Sequence, residues 1–85
     1  MRVVVTGAAG FIGRWVVGEL LERGHKVLPV DNLSQGDPDN LAAFAGHPGL
    51  EPLTVGDVRD GDACRRWLTG ADAVAHLAAS ISVQD

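Results

Sequence analysis

Three glycines, Gly7, Gly10 and Gly13, punctuate the stretch Thr6-Gly7-Ala8-Ala9-Gly10-Phe11-Ile12-Gly13, which directly follows the apolar run Val3-Val4-Val5. A buried strand that enters a glycine turn and leaves it as a helix has the chemistry of an anion cradle. Glycine lets the backbone turn sharply and approach a ligand with no Cβ in the way. The helix start then presents unpaired N–H groups and the positive end of its dipole. The second informative residue is Asp31, at the end of the next apolar run and about 20 residues past the turn, the interval at which dinucleotide sites place an acid. A carboxylate there accepts hydrogen bonds from both hydroxyls of an adenosine ribose and repels a 2′-phosphate. Glycine spacing alone is a weak signal, because ordinary strand-to-helix turns are also glycine-rich, and Asp31-Asn32 is a good turn-former in its own right. The combination of strand, turn, helix and distant acid points to a dinucleotide, and to NAD rather than NADP.

Further along, Asp57 closes an apolar run in Val55-Gly56-Asp57-Val58-Arg59-Asp60. Its side chain can accept the amino proton of an adenine while Val58 covers the ring; an ordinary loop aspartate fits the spacing equally well. Leu77-Ala78-Ala79 ends the last apolar run with small side chains, as where backbone nears a ligand crevice, or simply as a small-residue strand end. His76 has no Ser, Cys or carboxylate partner close in sequence and is expected to be a packed structural histidine. Cys64 falls on an apolar helix stripe and is expected in the core. No catalytic residue is assigned, and no set of His, Cys and carboxylates has metal-ligand spacing.

These residues need elements to hold them. Arg2–Thr6 is β-branched and apolar, as suits a strand buried on both faces of a parallel sheet. A helix from Phe11 carries Ile12, Val16 and Leu20 at helical spacing, with Val17 and Leu21 alongside and Gly24 placed to end it. Lys26–Asp31 reads as the second strand, with a local irregularity expected at Pro29, which lacks an N–H. Asp37 before Pro38 is a helix cap, so a short helix is expected over Pro38–Ala45, stopped by Gly46. Leu50–Val55 reads as a third strand, at the sheet edge where Pro52 is tolerable. Asp60 caps a helix over Gly61–Thr69 with Cys64, Trp67 and Leu68 on one face, and Ala73–Leu77 is a fourth strand. The alternation implies an α/β fold with a parallel sheet, right-handed crossovers and strand order 3-2-1-4, a truncated Rossmann-type arrangement with helices on both faces.

With 85 residues the chain makes one small domain. Hydrophobic residues at 46% and charged residues at 21% are those of a soluble globular protein. The net charge of −4 and the scatter of the seven Lys and Arg residues argue against nucleic acid as a partner. No apolar stretch is long enough to span a bilayer, so no membrane role is expected. The single Cys64 cannot form an internal disulfide, which makes the cytoplasm the default location.

Four segments together resemble the extended branch of the short-chain dehydrogenase/reductase superfamily, the NAD-dependent nucleotide-sugar epimerases and dehydratases. They are Thr6–Gly13, Asp31-Asn32-Leu33-Ser34-Gln35-Gly36, Gly56-Asp57-Val58-Arg59-Asp60 and His76-Leu77-Ala78-Ala79, in the family's order and spacing across essentially the whole chain. The second is most similar to UDP-glucose 4-epimerases, with related decarboxylases and dehydratases close behind. The resemblance implies that Phe11 and Ile12 cradle the pyrophosphate between Gly7, Gly10 and Gly13. It puts Asp31 and Asn32 on the adenosine ribose, with Leu33, Ser34, Gln35 and Gly36 alongside. Asp57 and Val58 would hold the adenine, and Leu77, Ala78 and Ala79 would line the path toward the nicotinamide.

That family works through a Ser/Thr and a Tyr-x-x-x-Lys pair, and then a substrate-binding domain. These 85 residues contain no tyrosine, and Lys26, the only lysine, begins the second strand. The resemblance therefore implies residues 1–85 as a partial NAD-binding domain, the N-terminal portion of an epimerase/dehydratase-like protein. Alone it would lack catalytic competence, its nucleotide sugar being a ligand of a complete parent enzyme. Two other readings stand beside it: a stand-alone or split-enzyme module needing a partner chain, with self-association through the fourth-strand edge, and a structural relic that binds nothing.

Overall fold

Strand β1, Arg2–Thr6, runs through the middle of the sheet because Val3, Val4 and Val5 all have to be buried, and alternate side chains leave a strand on opposite faces. The computed structural model describes residues 1–33, 36–57 and 59–77. Around β1 lie β2 (Lys26–Asp31), β3 (Thr54–Val55) and β4 (Ala73–His76), all parallel, in the order β3-β2-β1-β4. This is the 3-2-1-4 order expected from the alternating pattern. Helix α1 (Phe11–Glu22) and a 3₁₀ helix (Pro38–Phe44) cover the face that carries Val3, Val5 and Val27, with Val17, Leu21 and Leu41 completing that core. Helix α2 (Gly61–Leu68) covers the other face, where Trp67 and Ala71 pack on Val4, Leu28 and Val30.

The buried stripe of α1 is one residue round from the expected one. Gly13, Val17 and Leu21 turn inward, whereas Ile12 is 66% exposed and Val16 and Leu20 are half-buried at the flank. The reason lies at the first turn. A Cβ on Gly13 would stand 2.1 Å from the Gly7 carbonyl oxygen, so the helix start is pressed onto the glycine turn. Successive residues differ by about 100° around a helix, so placing Gly13 inward carries Val17 and Leu21 inward with it. At the other end Gly24 takes φ +86°, and its N–H and that of His25 close onto the Leu21 and Leu20 carbonyls, a Schellman ending.

The third strand is shorter than expected. Instead of Leu50–Val55, only Thr54–Val55 pairs as a strand, preceded by one isolated bridge between Val27 and Leu50. The two prolines explain the gap. Val27 donates to the Gly49 carbonyl on the β3 side, so Pro29, two residues on, has its missing N–H on that same side. Pro52 has none to offer either, and the ladder resumes only at Val30 and Thr54. Pairing of β2 with β1 stays complete, with Pro29 opposite Val5, so the irregularity expected at Pro29 falls on the ladder to β3.

The capped helices form where their caps predict. Asp37 accepts from the Asp39 N–H at 2.9 Å, and the segment it opens is 3₁₀ and ends at Phe44, with Gly46 at φ +84° just beyond. Asp60 accepts from Asp62 and Ala63, both at 3.1 Å, and α2 runs to Leu68. The inward side of α2 is Ala63 with half-buried Cys64 and Trp67, whereas Leu68, expected on that face, is 44% exposed. At the opposite end of the sheet, Arg2 ties two loops together. Its guanidinium donates to Glu51 at 2.7 and 3.1 Å and to the Thr69 carbonyl at 3.3 Å, and its N–H donates to Asp72 at 2.8 Å.

Candidate dinucleotide site

The C-terminal ends of β1, β2, β3 and β4 bring Thr6, Asp31, Asp57 and Leu77 to one edge of the sheet, the side on which open α/β sheets hold their ligands. The turn after β1 is fixed by its own N–H groups. Gly7, at φ +73°, donates to the Val30 carbonyl at 2.8 Å, and Ala8 to the same oxygen at 3.2 Å. Ala9 donates to the Asp31 carboxylate at 2.9 Å, and Gly10 closes onto the Gly7 carbonyl at 3.1 Å. The first intrahelical bond runs from Arg14 to the Gly10 carbonyl. The three N–H groups between them, those of Phe11, Ile12 and Gly13, have no acceptor among the described residues. No acid lies in the first turn to compete for them. Three convergent donors and the positive end of a 12-residue helix suit a phosphate group. The Phe11 and Ile12 side chains point outward, 72% and 66% exposed, so only backbone lines the cradle there.

Asp31 is buried, 7% exposed, and both its carboxylate oxygens are engaged. Oδ2 accepts from Ala9 at 2.9 Å and Oδ1 from Leu33 at 2.7 Å, the latter closing an Asx turn in which Leu33 takes the left-handed φ of +62°. Gly36 packs so closely over this carboxylate that a Cβ there would lie 2.8 Å from Oδ2 and 3.0 Å from the Ala9 Cβ. Each ionised oxygen offers about two lone-pair directions, so one per oxygen remains for ribose hydroxyls. Asn32 is exposed beside it.

Asp57 sits two residues past β3, next to Asp31 through the bond from the Gly56 N–H to the Asp31 carbonyl at 3.1 Å. Its carboxylate is gripped by Arg59. The backbone N–H donates to Oδ1 at 2.8 Å, Nε to both oxygens at 3.1 and 3.0 Å, and Nη2 to Oδ2 at 2.6 Å. The guanidinium, and then the Arg59 N–H, hold the Asp57 carboxyl down from its ordinary 3.8 to about 2. Gly56 is pressed against Trp67, whose ring would lie 2.4 Å from a Cβ there.

Leu77, 37% exposed, is fixed by its N–H, which is shared between the Thr6 carbonyl at 3.0 Å and Thr6 Oγ1 at 3.1 Å. His76 is not packed as expected. It is exposed, with Nδ1 2.7 Å from Thr6 Oγ1, because its strand lies at the sheet edge. Of the remaining candidates, Ser34, Gln35, Val58, Ala78 and Ala79 lie outside the described residues. Among those described, no three His, Cys, Asp or Glu groups converge on a metal site, and no helix is long and apolar enough to cross a membrane.

Two residues that shape the site were given no role by spacing or by the resemblance. The Ala9 carbonyl accepts from the Asp37 N–H at 3.0 Å and from Asn40 Nδ2 at 2.6 Å, so the 3₁₀ segment buttresses the turn from outside. Asn40 stands in a polar, punctuated stretch where nothing distinguishes it from its neighbours. Arg59 is the other, and only the geometry shows its hold on Asp57.

The chain is 44% identical over 82 residues to a 3 beta-hydroxysteroid dehydrogenase/Delta 5-->4-isomerase of Mycobacterium tuberculosis, a match covering 96% of this chain and 20% of that protein. It is 41% identical over 90 residues to a UDP-glucose 4-epimerase of Mycolicibacterium smegmatis, covering 99% of this chain and 27% of the relative. Its fold superposes with a TM-score of 0.87 on a dTDP-glucose 4,6-dehydratase from Streptomyces venezuelae solved with NAD and TYD bound, at 39% identity over 98% of this chain and 28% of the other. The chain thus spans about a fifth to a quarter of the length of these two relatives. Since residues 3–85 also match the family model for these enzymes, the chain belongs to the NAD dependent epimerase/dehydratase family.

Proposed function

We infer that this chain binds NAD as the cofactor-holding portion of an epimerase- or dehydratase-like protein. The observation that carries the reading is the turn: three N–H groups, at Phe11, Ile12 and Gly13, with no acceptor among the described residues, in a helix start held against Gly7 with no room for a Cβ. The pyrophosphate would lie on those donors and the adenosine ribose on the remaining lone pairs of Asp31. Asn32 and Leu33 to Gly36 would flank the ribose, Asp57 and Val58 would take the adenine, and Leu77 to Ala79 would border the nicotinamide. The bound nicotinamide supplies hydride chemistry; the residues of this chain bind and orient it. Isothermal titration tests the reading: saturable binding of NAD⁺, with NADP⁺ at least about tenfold weaker because its 2′-phosphate meets the Asp31 carboxylate. Equal affinity for the two, or none for NAD⁺, overturns it, and the latter outcome favours the relic.

These residues supply no tyrosine, so the chain by itself is expected to leave UDP-glucose unchanged in the presence of NAD⁺, with no UDP-galactose formed. A nucleotide sugar is the substrate class we favour for a complete parent enzyme, in the cytoplasm. The steroid enzyme among the relatives at comparable identity makes substrate choice a property of other residues.

One observation favours a module completed by a second chain. β4 lies at the sheet edge with Ala73, Val74 and His76 exposed, a strand edge open to pairing. Light scattering distinguishes the two: a stable monomer at all concentrations removes the need for a partner.

A further inference from the structure

The helix that opens the cradle has no side-chain cap of its own. Its N-cap is Gly10, at φ −80° and ψ 172°, with nothing to reach the first-turn N–H groups, and no acid follows in that turn. Glycine leaves both torsions at this joint nearly unrestricted. The aim of the Phe11, Ile12 and Gly13 N–H groups is therefore set by whatever holds the peptide unit just before them. That unit, from the Ala9 carbonyl to the Gly10 N–H, is planar, so fixing its two ends fixes its tilt. The Gly10 N–H is held by the Gly7 carbonyl at 3.1 Å, and the Ala9 carbonyl by the Asp37 N–H at 3.0 Å and Asn40 Nδ2 at 2.6 Å.

Asn40 reaches Ala9 because its segment is 3₁₀. At three residues per turn, Asp37 and Asn40 come round to the same side, the one turned to Ala9. The Asn40 N–H closes that turn on the Asp37 carbonyl at 2.9 Å, and buried Leu41 anchors the next position in the core. A carbonyl can only accept, so the Asn40 amide must present its nitrogen to Ala9.

We propose that Asn40 is a positioning residue for the anion cradle: its amide fixes the Ala9–Gly10 peptide and so aims the Phe11, Ile12 and Gly13 N–H groups at the pyrophosphate of the dinucleotide. This role rests on the cofactor reading above. Donors aimed in advance need no ordering when the ligand arrives, and that saving appears as affinity. Without the Asn40 amide the Ala9 carbonyl keeps the Asp37 N–H, so the fold survives while the peptide gains freedom to tilt.

The test titrates NAD⁺ and adenosine into the full chain as wild type, Asn40→Ala and Arg2→Ala, following the ¹H–¹⁵N amide signals. Arg2→Ala loosens the far end of the sheet and serves as the control for lost stability. In Asn40→Ala the signals of Phe11, Ile12 and Gly13 should move before any ligand is added, and NAD⁺ should bind on the order of fivefold more weakly. Adenosine, which has no pyrophosphate, should bind as it does to wild type. In Arg2→Ala those three signals and both affinities should match wild type. Unmoved signals or an unchanged NAD⁺ affinity in Asn40→Ala overturns the proposal and leaves the cofactor reading intact. So does an equal loss for NAD⁺ and adenosine in that variant, or the same loss of NAD⁺ affinity in Arg2→Ala. Failure of wild type to bind NAD⁺ overturns both.

Discussion

Gly13 and Gly7 meet backbone to backbone, so that a Cβ on Gly13 would stand 2.1 Å from the Gly7 carbonyl oxygen and 2.9 Å from the Ala8 Cα. No rotamer relieves a contact made by a Cβ, so the turn and the helix must separate to admit one. Gly13→Ala is therefore expected to destabilise the fold by about 3 kcal/mol and to abolish dinucleotide binding. Urea unfolding and titration with NAD⁺ measure the two effects, and a variant of wild-type stability would show that the helix start is free to shift.

Asp31 tethers the turn through Ala9 and Leu33, and in the proposed pose of the cofactor it also faces the ribose. Asp31→Asn keeps one acceptor oxygen and loses the other, stranding the N–H of Ala9 or of Leu33. A destabilisation of about 1–3 kcal/mol follows from one unpaired buried donor. The same variant should lose its discrimination against NADP⁺, since the repelling charge is gone. Unaltered stability in urea alongside lost discrimination would mean that the tether contributes nothing.

Trp67 lies against Gly56, with its ring where a Cβ would go at 2.4 Å. Gly56→Ala should push the indole off the patch formed by Val4, Leu28 and Val30. The emission of Trp67 should shift to the red, read in a Trp15→Phe background to remove the exposed indole, with a loss of about 2 kcal/mol. Emission unchanged from the parent would place the indole elsewhere.

Two ion pairs set the acid sensitivity. Arg59 lowers the Asp57 carboxyl from 3.8 to about 2, and Arg2 holds the Glu51 carboxyl below its ordinary 4.5, chiefly by hydrogen bonding. A carboxylate with a depressed folded pKa stabilises fully above its unfolded value and loses that contribution as pH falls through the folded one. Arg2→Ala should then cost about 1 kcal/mol at pH 7, since side chains 26% and 32% exposed are only partly screened, and progressively less below pH 4.5. For Arg59→Ala the corresponding window lies between 3.8 and 2. Urea midpoints measured from pH 7 to pH 2.5 check both, and a penalty that grows with acidity would contradict the assignment.

Much of this was legible locally. The glycine turn, the caps at Asp37 and Asp60, the Gly24 ending and the 3-2-1-4 order depend on residues close in sequence or on the handedness of crossovers. What was not legible depends on contacts between distant segments. Periodicity pointed to Ile12, Val16 and Leu20, yet the Gly13–Gly7 contact decides how α1 is rotated. The length of β3 depends on two prolines in different strands facing the same gap. The double use of Asp31 follows from where Ala9 and Leu33 place their N–H groups, and the fork of Arg59 from a side-chain conformation that no spacing encodes.

The peptide groups of Ala9 are satisfied by Asp31, 22 residues on, and by Asn40, 31 residues on, with the Asp37 N–H beside it. The turn is thus not a self-sufficient local motif. Its hydrogen bonds are complete only when β2 is paired and the 3₁₀ segment is docked. Fraying of residues 37–40 would release the Ala9 carbonyl without breaking a bond within α1 or the central strands. Any affinity the proposed cradle has for an anion would therefore depend on the integrity of a polar segment outside it.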